Sequence, residues 1–69
     1  MPRKLNLKEQ CKLIVEMNLL HLTQTKIAKI NGLKSSMLFS KVCRGEYNVT
    51  PKVKQQFLNA GINLDEIME

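Results

Sequence analysis

The chain has 69 residues, a length at which folding buries only about 60% of the accessible surface, so it is read as one domain, 1–69, with no room for a second. Hydrophobic residues make up 43%, but Phe39, Tyr47 and Phe57 are the only aromatics, so the core has to be aliphatic and sulphur-rich, which favours helices. The net charge of +5 is unevenly placed, all eleven Lys and Arg falling at or before Lys54 against Glu9, Glu16 and Glu46, which points to a polyanion-facing side.

The opening MPRKLNLK lacks the apolar stretch and cleavage site of a signal peptide. The most apolar run, Leu13 to Leu22, is broken by Glu16, Asn18 and His21 and is too short to span a bilayer, so no membrane contact and a cytoplasmic location are expected. Residues 1–5 read as a flexible basic arm, Pro2, Arg3 and Lys4 either lying free in solvent or reaching a polyanion. Asn6 caps a first helix from Leu7 to about Leu20, with Glu9 closing a capping box. On a helical wheel Leu7, Cys11, Ile14, Val15 and Met17 form its core stripe. Leu13 and Leu20 fall outside that stripe and form either a strip for a partner chain or an extension of the core.

Thr23 caps a second helix to about Asn31, with Ile27, Ala28 and Ile30 inward, and Gly32 follows where a helix ends in the left-handed conformation. Ser35 caps a third helix to Arg44, with Phe39, Val42 and Cys43 inward, and Gly45 ends it. Thr50 and Pro51 open a fourth helix whose inner face is Val53, Phe57 and Leu58 and which stops at Gly61. Asn63 caps a last short helix from Leu64 to Met68, with Asp65 and Glu66 in its first turn. The expected fold is therefore all-α, a compact bundle of about five short helices. Cys11 and Cys43 read as two buried thiols in a reducing compartment, and neither shows metal-ligand spacing with His21, so no metal or cofactor is expected.

Helix two, a glycine-containing turn and helix three make a helix-turn-helix, whose second helix is held by its inner face and is free on its outer one. That outer face carries Ser36, Met37, Ser40, Lys41 and Arg44, at helical spacing, and no carboxylate lies between Glu16 and Glu46. Hydroxyls and cations can reach base edges or phosphates without the repulsion that acids would meet. Lys26, Lys29 and Lys34 are either a solvated helix side or, for Lys26 and Lys34, contacts to a nucleic-acid backbone.

The segments LTQTKIAK at Leu22 to Lys29, the glycine at 32, the run SSMLFSKVCRG and AGINLDEI at Ala60 to Ile67 resemble the Cro and phage-repressor helix-turn-helix family, the xenobiotic-response-element type with a lambda-repressor-like domain. KVCRGEYNVTPKVKQQ is also similar to the lac-repressor type of headpiece, and the whole resemblance covers about three quarters of the chain. It implies that Thr23 and Gln24 grip phosphate at the start of helix two. It implies that Ser35, Ser36, Met37, Ser40 and Lys41 face the bases, and that Arg44, Tyr47 and Asn48 touch the sugar-phosphate backbone. Two departures accompany it. Phe39 and Val42 fall one residue late counted from Gly32, so the turn GLKS holds an extra residue, and Asn31 stands where the family has a small or apolar residue.

These readings lead to a sequence-specific DNA-binding regulator, phage- or mobile-element-like, binding double-stranded DNA as a homodimer on a two-fold symmetric operator with half-sites about 34–36 Å apart. Either the Leu13/Leu20 strip or the group Ile62, Leu64, Ile67 and Met68 is the expected dimer contact. The alternative is a protein-interaction module, antitoxin-like or anti-repressor, using Met37, Leu38 and Phe39 to hold a protein partner. One His, one Asp, no phosphate-cradling loop and no nucleophile-base pairing leave no basis for expecting an enzyme.

Overall fold

In the computed structural model, which describes residues 2–68, five α-helices follow in chain order and the described residues contain no strand. They are α1 Leu7–Leu19, α2 Gln24–Ile30, α3 Met37–Cys43, α4 Pro51–Asn59 and α5 Leu64–Ile67. The fold is all-α, as expected. Helix α1 lies against α3 and α5, α2 against α3 and α4, and α4 against α5.

Four helices start where a side chain takes over an amide that the helix leaves unpaired. Asn6 Oδ1 accepts from the Glu9 amide at 2.8 Å while Glu9 Oε1 accepts from the Asn6 amide at 2.9 Å, a complete capping box. Thr23 Oγ1 accepts from the Lys26 amide at 3.1 Å, Thr50 Oγ1 from the Val53 amide at 3.3 Å and Asn63 Oδ1 from the Asp65 amide at 3.0 Å. Helix α3 differs: its N-cap is Ser36, which makes no side-chain bond, and Ser35 Oγ accepts from the Met37 amide at 3.2 Å instead. The connection from α2 to α3 thus runs from Asn31 to Ser36.

The first four helices stop in one way. An amide two residues past the C-cap bonds a carbonyl five residues earlier: Leu22 to Met17 at 2.8 Å, Leu33 to Ala28 at 2.8 Å, Glu46 to Lys41 at 2.8 Å and Ile62 to Phe57 at 3.0 Å. The residue just before each donor is left-handed: His21 at φ 55°, Gly32 at 70°, Gly45 at 71° and Gly61 at 97°. This is the Schellman termination, and it satisfies carbonyls that the helix end would otherwise leave bare.

Phe39 of α3 and Phe57 of α4 meet edge to face at the centre, their rings 5.4 Å apart and inclined by 82°. Such a pair contributes about 0.5–1.5 kcal/mol beyond the area it buries. Leu13, Ile27, Val42, Val49, Ile62 and Leu64 are fully buried around it. The thiol of Cys43 lies 3.8 Å from the Met17 sulphur.

Helix α1 is rotated relative to its expected orientation. Its inward row is Glu9, Leu13 and Met17, whereas Leu7, Cys11, Ile14 and Val15 are exposed, Leu7 at 78% and Val15 at 56%. The cause is Glu9. The capping box turns its carboxylate inward, where Arg3 Nη1 and Nη2 reach its two oxygens at 2.6 and 2.5 Å, so a paired charge occupies a place that a count of apolar residues would leave outside. Cys11 is consequently not the second buried thiol, and Leu13 is core rather than a strip for a partner.

Residues 2–5 are not a flexible arm. Arg3 also donates to the Met68 carbonyl at 3.1 Å, its own carbonyl accepts from the Val49 amide at 2.8 Å, and Leu5 is buried in the core. Met1, the other member of the expected arm, lies outside the described residues. Gln10 Nε2 donates to the Leu5 carbonyl at 2.9 Å, and this segment passes so near the end of α3 that a Cβ on Gly45 would sit 2.6 Å from that carbonyl.

Ile30 and Leu58, expected inward, are exposed, and Gln56 takes the inner place in α4. Asn31 fixes this arrangement. Its Nδ2 donates to the carbonyls of Ile27 at 2.9 Å and Gln56 at 3.0 Å, and its Oδ1 accepts from Asn59 Nδ2 at 2.9 Å, which sets α4 against the end of α2. Ile62, Leu64 and Ile67 line the chain's own core, so the C-terminal group expected as a dimer contact is already used.

Candidate nucleic-acid interface

Helix α3 spends its apolar residues inward, with Phe39, Val42 and Cys43 buried, and presents the rest. Met37 is 62% exposed, Lys41 and Arg44 are exposed, and Ser36 and Ser40 are half-buried. Ser35 and Lys34, in the preceding turn, are exposed as well. Leu38 is half-buried against the core and Phe39 is wholly enclosed, so the run Met37, Leu38, Phe39 does not form the exposed apolar patch expected of it.

Arg44 does not project alone. Its Nη1 donates to Ser40 Oγ at 2.5 Å and its Nε to Glu46 Oε2 at 3.0 Å, which joins three residues across the end of α3. The Arg44 guanidinium holds the Glu46 carboxyl below the usual carboxylate range, and Glu46 in turn raises Arg44. Both side chains are more than half exposed, so water and salt screen the pair heavily. A polyanion meeting this surface would therefore compete with Glu46 for the guanidinium.

The start of α2 faces the same region. Thr23, Gln24 and Arg44 line one groove of about 400 Å³ together with Ile14, Asn18 and Cys43. Thr23 already accepts one amide through its hydroxyl oxygen, and its O–H remains able to donate. Gln24 is half-buried and lines this groove with Cys43, whose thiol burial pushes up against the opposing effects of Gln24 and Arg44. The first turn of α2 and the last of α3 thus meet at one groove. Lys26 Nζ donates to the His21 carbonyl at 3.0 Å, which lies at the end of α1. Tyr47 and Asn48 are exposed in the loop after α3.

The structure thus brings Thr23, Gln24, Ser40 and Arg44 into one neighbourhood, whereas Lys34, Met37, Lys41, Tyr47 and Asn48 are exposed with no mutual hydrogen bonds among the described residues. Two participants were not among the residues picked from the sequence. Glu46 partners Arg44 from two positions on, a spacing with no helical meaning, and the positive φ of His21 has no glycine to announce it. Among the described residues no group of three or more His, Cys, Asp or Glu could hold a metal ion, and no helix is long and apolar enough to cross a membrane. No family model, curated protein or solved structure matches this chain.

Proposed function

We propose that the chain is a sequence-specific DNA-binding transcriptional regulator of the repressor or Cro type, acting as a homodimer in the cytoplasm, with α2 and α3 as its helix-turn-helix. The observation that carries this reading is the division of α3: its apolar residues are in the core, while Met37, Lys41 and Arg44 face outward in a stretch that has no acid from Met17 to Gly45. Cations and hydroxyls on the outer face of a short helix suit a major groove, where they can accept or donate at base edges and neutralise phosphates. Lys41 and Met37 are the base readers of this proposal, with Ser35, Ser36 and Ser40 beside them. Thr23, Gln24, Lys26, Lys34, Arg44, Tyr47 and Asn48 serve the backbone.

Selection of bound sequences from random DNA, followed by salt titration of the winner, tests the reading. A two-fold symmetric site and an affinity that falls steeply with salt are expected, with a slope near the number of phosphates neutralised. Lys41→Ala should lose about 1–3 kcal/mol on the selected site and little on random DNA. Glu46→Gln should tighten binding to both and steepen the salt slope by about one, because Arg44 is released to phosphate. Absence of any shift at low salt would sink the proposal.

One observation favours the second reading, a protein-interaction module: the exposed apolar row on α1, Leu7, Cys11, Ile14 and Val15. A pull-down run beside the gel shift distinguishes the two.

A further inference from the structure

We infer that each half-site is read through a thymine C5 methyl group packed on Met37 and a guanine O6/N7 edge facing Lys41, one or two base-pair steps apart. The inference rests on the DNA-binding reading above and adds to it the base edges that α3 can recognise. Successive helical residues turn by about 100°, so the buried arc of Phe39, Val42 and Cys43 fixes which way the others point. Met37 lies directly opposite the middle of that arc, and Lys41, one turn on, lies next to it. Ser36 and Ser40 fall to one side and are half-buried. Met37 is also the first residue of α3, and a recognition helix meets base edges with its N-terminal part.

The chemistry of this face selects the bases. In the major groove guanine offers two acceptors and thymine an acceptor and a methyl group, whereas adenine and cytosine each present an amino donor. Adenine is matched by Asn or Gln and cytosine by Asp or Glu, and none of the four occurs from Gly32 to Gly45. An ammonium only donates, so Lys41 suits both groove atoms of guanine but would meet the amino group of adenine. Lys41 is exposed and forms no ion pair among the described residues, which leaves its donors available. Arg44, the other cation of the face, is engaged with Ser40 and Glu46 at the far end of α3 and so serves phosphate. Met37 is 62% exposed, and its unbranched thioether can gain only from an apolar partner, which in this groove is the thymine methyl. Four residues of helix rise by about 6 Å against about 3.4 Å for a base pair, which gives the spacing of one or two steps.

Gel shifts of the full chain on the duplex selected from random DNA test the assignment. Each thymine in turn is replaced by uracil, which lacks the C5 methyl, and each guanine by 7-deazaguanine, which lacks the N7 acceptor. Uracil at one thymine of each half-site should weaken binding about fourfold, the worth of one buried methyl, and Met37→Ala should abolish that difference alone. At a guanine one or two steps away 7-deazaguanine should weaken binding about five- to tenfold, and with Lys41→Ala the two guanines should become equivalent. Both side chains are exposed, so the helical circular dichroism of the variants should match that of the unmodified chain. A selected site with no thymine methyl coupled to Met37, or no guanine N7 coupled to Lys41, overturns the inference and leaves the DNA-binding reading standing. So does a coupled thymine and guanine three or more steps apart. A chain that shifts no duplex at low salt overturns both.

Discussion

His21 holds φ 55° at the end of α1, the position that glycine holds at the ends of α2, α3 and α4. A side chain in the left-handed region costs about 1–2 kcal/mol, and glycine gives part of that back as unfolded-chain entropy. The carbonyl of His21 takes the Lys26 ammonium and would remain after loss of the imidazole. His21→Gly should therefore stabilise the fold by about 0.5–1 kcal/mol, and thermal unfolding should show a rise of about 4–8 °C per kcal/mol. An unchanged or lower midpoint would mean that the imidazole contributes something the backbone does not reveal. His21 also illustrates what single residues disclose. Asn6, Thr23, Thr50 and Asn63 were legible as caps because each bonds an amide two or three positions on, within reach of a local reading. Arg3, Asn31 and Arg44 were not, because their partners are set by tertiary packing or by a loop.

The glycines at the helix ends share a conformation but not a setting. At Gly32 an added Cβ meets nothing within 4 Å, so Gly32→Ala should cost only the left-handed penalty, about 1 kcal/mol. At Gly45 the same methyl would strike the Leu5 carbonyl at 2.6 Å and the Gln10 amide, so Gly45→Ala should cost at least about twice as much. Urea denaturation of the two variants checks the contrast, and equal losses would contradict the packing of residues 2–5 over α3. Elements were the scale at which the sequence said most. All five helices, their order and three of their glycine stops follow from punctuation and periodicity. The rotation of α1 does not, because a wheel weighs Glu9 as polar and places it outside, while Arg3 makes its burial favourable. The outer face of α3 was legible for the opposite reason: Phe39, Val42 and Cys43 fix that helix by apolar contacts alone.

For the whole molecule, the Arg3–Glu9 pair is the main titrating support. The guanidinium, aided by the Asn6 amide, holds the Glu9 carboxyl at about 2 against an ordinary 4.5. A depressed carboxyl contributes its full stability above pH 4.5 and loses it as pH falls from there towards 2. Glu9→Gln should cost about 2 kcal/mol at neutral pH, and chemical denaturation should show the gap to the unaltered chain narrowing in acid. A gap that is constant from pH 7 to 3 would remove the pair from the acid response. Arg3 does one thing more. Its bond to the Met68 carbonyl joins residues 65 apart, and a loop of that length is costly to close before the helices between have formed. The clasp should therefore close after the rate-limiting step of folding, so Arg3→Ala should speed unfolding and leave the folding rate nearly unchanged in stopped-flow kinetics. Its expected effect is on how long a folded molecule lasts, not on how soon one forms.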